Sequence, residues 1–173
     1  MKTNKVTGLV IGRRSLPNQD RIIVFFSQEL GKIILLAKNI KKITSKRLPH
    51  AQTGNYLKVV FSERHNYFYL HDTELVSAYS QIKKDLIKLN QLYLVFFVLD
   101  RILPERQPEI LSFNLTCKLL KQLSQKQLAE KDLADYFSQL LMDLGYLQEK
   151  SNYYEIIAKI EEIITEKIPA FII

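Results

Sequence analysis

Tyr56-Leu57-Lys58-Val59-Val60-Phe61-Ser62-Glu63-Arg64-His65-Asn66-Tyr67-Phe68-Tyr69-Leu70 is the stretch that decides the fold class. Leu57, Val59 and Phe61 alternate with Lys58, Val60 and Ser62, a period of two that buries one face of a strand and leaves the other partly wet. Arg64-His65-Asn66 forms a tight connection, and residues 67–70 resume the apolar pattern, so the stretch reads as strand, turn and strand. Upstream, residues 6–11, 22–26 and 33–36 are short β-branched and aromatic runs of the same kind. Pro17-Asn18 separates the first two, and Gly31 supplies a positive φ before the third. Five short strands within about 75 residues predict a small closed or half-closed barrel, because an open sheet of that size leaves long edges unprotected.

After Ser80 the period changes. Residues 82–103 are apolar at Ile82, Leu86, Leu89, Tyr93 and Phe96 and also on the remaining sides, which predicts one helix buried all round and ended by Pro104. Pro108 is placed to open a second helix carrying Leu111, Leu115, Leu119 and Leu123 at four-residue spacing. Ser124 and Gln127 have the spacing of a capping box for a third, with Leu133, Tyr136, Phe137, Leu140, Leu141 and Leu144 as its stripe and Gly145 as its C-cap. Asn152 and Glu155 are placed to cap a last helix over residues 154–167, with an Ile156, Ile160, Ile163, Ile164 stripe and Pro169 as stop. The fold class is therefore α+β, a five-stranded N-terminal barrel followed by a C-terminal α-helical domain, with domains expected at 1–79 and 80–173.

The net charge of +7 on 173 residues is unevenly placed. Residues 1–80 hold 13 Lys and Arg against 5 Asp and Glu, or +8, and residues 81–173 hold 12 against 13, or −1. A one-sided excess points to a polyanion-binding surface on one module. The longest apolar run, residues 92–99, is closed by Asp100 and Arg101, well below the roughly 18 residues a membrane span needs. Lys2 and Lys5 followed by residues 6–12 resemble an export signal superficially, but Arg13 and Arg14 cut the apolar stretch short and no small-residue cleavage site follows. A soluble, cytoplasmic protein is expected, and the single Cys117 fits a reducing compartment.

No enzyme signature is present. Gly8, Gly12, Gly31, Gly54 and Gly145 fall into no phosphate-loop or dinucleotide spacing. His50, His65 and His71 lack the spacing and nearby carboxylates of a metal site and read as structural or solvated. Cys117, among leucines, reads as a small buried apolar residue, and Asp132 and Asp135 as a solvated helix face. No catalytic residue, cofactor or metal is expected. What remains is cationic: Arg13, Arg14 and Arg21 around the first hairpin, then Lys38, Lys41, Lys42, Lys46 and Arg47, five positive charges within residues 38–47 and no acid among them. Phe25, Phe26, Tyr56, Phe61, Tyr67, Phe68 and Tyr69 are interleaved in the same half, some necessarily filling the barrel. Cations with exposed rings bind single strands by phosphate neutralisation and base stacking.

These residues resemble a known family. Gly8-Leu9-Val10-Ile11, residues 18–27 (Asn-Gln-Asp-Arg-Ile-Ile-Val-Phe-Phe-Ser), Leu30-Gly31-Lys32 and residues 37–46 (Ala-Lys-Asn-Ile-Lys-Lys-Ile-Thr-Ser-Lys) resemble, in order and spacing, the N-terminal half of the bacterial recombination mediator RecO. Tyr69-Leu70 through Tyr79, Asp100-Arg101-Ile102-Leu103-Pro104-Glu105 and Leu140-Leu141-Met142-Asp143-Leu144-Gly145-Tyr146 continue the match. The resemblance implies an N-terminal OB-fold and a helical C-terminal domain in a nucleoid-associated DNA-repair factor. It implies binding and annealing of single- and double-stranded DNA, engagement of the single-strand DNA-binding protein (SSB) tail, and action with RecR to load RecA. The DNA-facing positions it implies are the eight cations named above. For the SSB tail it implies a hydrophobic groove with a basic rim among the helices, near Lys118 and Lys121.

Three departures stand out. Asn39 replaces a family glycine at a turn, although asparagine tolerates a left-handed backbone. Residues 147–154 contain no cysteine, so the zinc site of many relatives is not carried over. The chain ends sooner than typical members, from which part of the helical domain is expected to be lost. The mechanism implied is neutralisation of two strands at one basic surface. An OB-fold RNA-binding protein of translation or ribosome assembly accounts for the same charges, and a protein-interaction module without nucleic acid is a third class.

Overall fold

The computed structural model describes residues 3–40 and 47–169. The chain divides into two compact units, Met1–Tyr79 with Leu103–Glu109, and Ser80–Ile102 with Ile110–Ile173.

The first unit is a closed barrel of β1 (Thr3–Ser15), β2 (Arg21–Ser27), β3 (Gly31–Ala37), β4 (Tyr56–Arg64) and β5 (Tyr67–Ser77) in the order β1-β2-β3-β5-β4, with a short helix α1 (Arg47–His50) before β4. The expected five-stranded OB-type barrel is borne out. Closure depends on the length of β1, which pairs with β4 over its first half and with β2 over its second. Gly8 lies where the two pairings overlap, opposite both Ser27 and Leu57. A Cβ there would stand 2.3 Å from the Phe26 carbonyl oxygen and 2.8 Å from the Phe25 ring, so only glycine lets the strands approach. β3 and β5 run parallel at Leu35–Phe68 and Leu36–Tyr69, the pairing that completes the circle.

Alternation fills the barrel. Val6, Val10, Ile23, Phe25, Ile33, Leu35, Leu57, Val59, Phe61, Phe68 and Leu70 share one core, where the Phe61 and Phe68 rings meet edge-on at 5.1 Å. Each such buried side chain contributes about 1.5–3 kcal/mol. Ser62 departs from the wet-face expectation, being fully buried with its Oγ 2.7 Å from His71 Nε2. The turn between β4 and β5 takes positive φ at both His65 (50°) and Asn66 (63°), as a two-residue hairpin connection requires.

Leu103–Glu109, where Pro104 is expected to end one helix and Pro108 to open the next within the helical domain, instead belongs to the first unit and straps this barrel. Glu105 bridges Lys32 in parallel, and the Arg106 N–H donates to the Lys32 carbonyl at 2.8 Å. The Arg106 guanidinium lies 4.3 Å from the Phe68 ring centroid, donates to Glu63 Oε1 at 2.9 Å, and also donates to the Asn66 carbonyl.

The second unit comprises α2 (Ser80–Lys83), α3 (Leu86–Ile102), α4 (Ile110–Gln125), α5 (Glu130–Asp143) and α6 (Tyr153–Ile164). The single helix expected over residues 82–103 is broken at Lys84-Asp85, because the Asp85 carboxylate accepts the Ile87 and Lys88 N–H groups and so opens a new helix. Nor is α3 buried all round: Leu86, Ile87 and Tyr93 are exposed. The capping box expected at Ser124 and Gln127 does not form. Ser124 Oγ donates to the Lys121 carbonyl, Gln127 binds Asp85, and Asp132 accepts the Ala129 N–H to open α5. Pro108 precedes α4 by two residues instead of opening it. Gly145 (φ 79°) closes α5 through Tyr146 N–H to Leu141 carbonyl and Gly145 N–H to Met142 carbonyl bonds, and Asn152 with Glu155 caps α6 reciprocally. α6 ends at Ile164 with Thr165 left-handed, before Pro169 is reached. Among the described residues no helix is long and apolar enough to cross a membrane.

Candidate nucleic-acid interface

The candidate interface begins with strand register. Arg14 pairs with Ile22, Ile22 with Leu36, and Leu36 with Tyr69, so one row of side chains crosses β1, β2, β3 and β5 on the outer face of the barrel. Ile22, Leu36 and Tyr69 are half-buried there and Arg14 is exposed. Strands 2 and 3 with the neighbouring loops form the oligonucleotide-binding face of OB-folds generally.

Lys38 follows β3 directly, and its Nζ lies 5.1 Å from the Tyr69 ring centroid, a contact of about 0.5–1 kcal/mol at an exposed site. The turn that aims Lys38 is tied to the loop between β1 and β2: Asp20 Oδ1 accepts the Asn39 N–H at 2.7 Å, and Asn18 Oδ1 accepts the Asp20 N–H at 2.9 Å. Asn39 has φ 54°, so it takes the left-handed backbone that glycine would supply. Beside this turn lies a cavity of about 620 Å³ lined by Leu36, Lys38, Asn39, Ser62, Arg64, His65, Tyr69, Leu70 and His71. Among the described residues no carboxylate lines it, and the Arg64 side chain has no hydrogen bond or ion pair.

The three arginines expected to act together are divided by the pleat. Arg14 joins the outer row, whereas Arg13 and Arg21 belong to the alternate set with Ile23, Leu35 and Ala37, which emerges at one end of the barrel. Arg13 donates to Gln52 Oε1 there. Burial and then the charge of Arg13 pull the Arg21 guanidinium below its ordinary value, and its buried Nε and Nη1 lack hydrogen-bond partners. Two cations in that relation favour an anion between or beside them. Lys41, Lys42 and Lys46 lie outside the described residues, as does the side chain of Arg47.

Arg64, Ser62, His71 and Tyr69 were not singled out from the sequence as site residues. As a candidate for stacking, Tyr69 is one of seven aromatics and is not separated there from Phe68, which is buried beside Phe61. The available signal was the two-residue turn at His65-Asn66, which sets Leu70 opposite Phe61 and so assigns Phe68 and Leu70 inward and Tyr69 outward.

Other candidate groups are structural. His50 Nδ1 is 3.0 Å from the Thr73 carbonyl and its own carbonyl accepts Asn55 Nδ2. Burial raises the Cys117 thiol above its ordinary value, the wrong direction for a nucleophile at neutral pH. Tyr136 is buried with its hydroxyl 2.9 Å from Thr116 Oγ1, and that burial raises it far above the ordinary tyrosine value. Asp132 and Asp135 pair with Lys126 and Lys150 at 3.7 and 3.0 Å.

Residues 1–79 match the family model described as Recombination protein O N terminal. Proteins named DNA repair protein RecO are similar over more of the chain. That of Thermoanaerobacter sp. (strain X514) is 24% identical over 153 residues, covering 88% of this chain and 62% of the relative. That of Listeria monocytogenes serotype 4a (strain HCC23) is 26% identical over 121 residues, 70% and 48% of the two chains. That of Geobacter metallireducens is 24% identical over 146 residues, 84% and 60%. The chain spans about half to three fifths of the length of these curated relatives. The resemblance read from the sequence is thereby borne out.

Proposed function

We propose, from a chain whose residues 1–79 carry the Recombination protein O N-terminal domain, that this protein is a non-enzymatic DNA-binding factor of recombinational repair. Its proposed substrates are single- and double-stranded DNA, which it anneals and on which it helps recombinase to load where SSB coats the strand. Domain 1–79 is the DNA-binding part, and domain 80–173 receives the SSB tail and RecR, with RecA engaged indirectly. A cytoplasmic, nucleoid-associated location follows from that role.

The observation that carries this reading is the acid-free cationic cavity beside the outer row Arg14, Ile22, Leu36 and Tyr69. Two DNA strands repel through their phosphates, and a surface that neutralises both lowers the barrier to pairing. Arg14, Lys38 and Arg64 supply that charge on the barrel face, Arg13 and Arg21 add it at the barrel end, and Lys41, Lys42, Lys46 and Arg47 contribute four more positive charges. The role of all of them is electrostatic, and no bond is made or broken.

The test is the salt dependence of binding to single-stranded DNA together with annealing of SSB-coated complementary strands. Six phosphate contacts cost about a thousandfold in affinity between roughly 50 and 200 mM salt. A flat salt response overturns the DNA reading; annealing of bare but not SSB-coated strands overturns the partner reading alone.

A further inference from the structure

The cavity beside Lys38 differs from a plain basic patch, because it combines three chemistries. Leu36 and the Tyr69 ring give it an apolar part, Lys38 and Arg64 give it positive charge, and His71 gives it a polar edge. His71 is held in place by the buried Ser62 hydroxyl, 2.7 Å from its Nε2. A volume of about 620 Å³ lies within the range of small-ligand sites. A bare phosphate needs no ring, and an uncharged ligand needs no cations. A base inside a duplex cannot offer its face. An unpaired nucleotide satisfies all three parts at once.

We propose that this cavity seats one unpaired DNA base on the Tyr69 ring, with Lys38 and Arg64 on the phosphates beside it, so that the barrel distinguishes a single strand from a duplex. In the free protein the Lys38 ammonium lies over the ring at 5.1 Å. An entering base takes that face and the ammonium moves to the strand's phosphate, so the two contacts exchange without uncovering either charge or ring. The proposal rests on the DNA-binding reading and adds to it the source of strand preference.

The test uses the full chain and three probes: an oligothymidine, a strand of the same length that is abasic at every position, and a duplex of equal length. Base stacking is worth about 1–3 kcal/mol per base, so the abasic strand should bind about 5- to 150-fold more weakly than the intact one. Tyr69→Leu should weaken the intact strand by the same factor, remove the difference between the two strands and leave the duplex unchanged. Tyr69→Phe should retain the preference. Equal binding of intact and abasic strands by the unaltered protein overturns the pocket while leaving DNA binding standing, as does a loss in Tyr69→Leu that strand and duplex share. Binding of none of the three probes at low salt overturns the DNA reading itself.

Discussion

In the helical unit Arg101 Nε donates to Glu166 at 2.8 Å, Lys150 to Asp135 at 3.0 Å, Lys159 to Glu162 at 3.0 Å and Lys167 to Glu161 at 2.6 Å. In the barrel unit Arg106 is matched to Glu63 and Lys58 to Glu74, but Arg13, Arg21 and Arg64 have no carboxylate partner among the described residues. Exposed ion pairs contribute only about 0–1 kcal/mol each, so this contrast says little about stability. It says where the field is. The helical half balances its cations in number, 12 Lys and Arg against 13 Asp and Glu, whereas the first 80 residues hold 13 against 5 and leave an unbalanced positive surface, which is what a polyanion needs and what folding alone does not.

Predictions that break or sharpen this comparison run from large to small. Phe61→Ala removes a fully buried ring from the barrel core and should cost about 3–5 kcal/mol. If the two units unfold separately, amide exchange after that change will quicken in β1–β5 and not in α3–α6; equal quickening in both would mean one cooperative unit. Next comes charge. Arg14→Glu with Lys38→Glu should lower affinity for single-stranded DNA about 100-fold at low salt, while Lys126→Glu with Lys150→Glu should change it less than about threefold, as filter binding would measure. Similar losses in both double variants would erase the distinction.

Gly31→Ala follows, because Gly31 has φ +66° and an added Cβ would lie 1.7 Å from the Gln107 carbonyl oxygen. The strained backbone alone costs about 1–2 kcal/mol, so a lower urea midpoint is expected, with faster exchange at the Arg106 N–H. An unchanged midpoint would remove the strap from the barrel's supports. The smallest effect is acid sensitivity of the helical unit. Gln127 and then the Lys88 N–H hold the Asp85 carboxyl below its ordinary value, Lys167 and the Ile168 N–H do so for Glu161, and Arg101 does so for Glu166. Lowered carboxyl values mean that this stabilisation is complete above the ordinary carboxylate range and is lost as pH falls through the lowered ones. A modest drop in melting temperature on acidification below about pH 4 is expected, and Asp85→Asn with Glu161→Gln should flatten it.

Much of the architecture was legible because its causes are local. The alternation at Leu57, Val59 and Phe61, the His65-Asn66 turn, Gly145 as a C-cap and the Asn152–Glu155 box each depend on residues within a few positions of one another. The break at Asp85 was local too, but its signal was hidden inside an apolar run, where a cap competes with continuous periodicity. The strap was not legible, since the fit of Gln107 against Gly31 and of Arg106 over Phe68 joins segments far apart in the chain.

The same division holds for the site. By itself the sequence determined that the positive charge belongs to the first 80 residues, that those residues make a barrel, and which family they resemble, because composition and short-range pattern survive without a partner strand. Only the tertiary structure decided that Arg14 parts from Arg13 and Arg21, and that Lys38, Arg64, His71 and Tyr69 line one cavity. Strand register is the physical reason: it sends neighbours in sequence to opposite faces and brings the ends of β3, β4 and β5 together, and it is fixed only when the barrel closes.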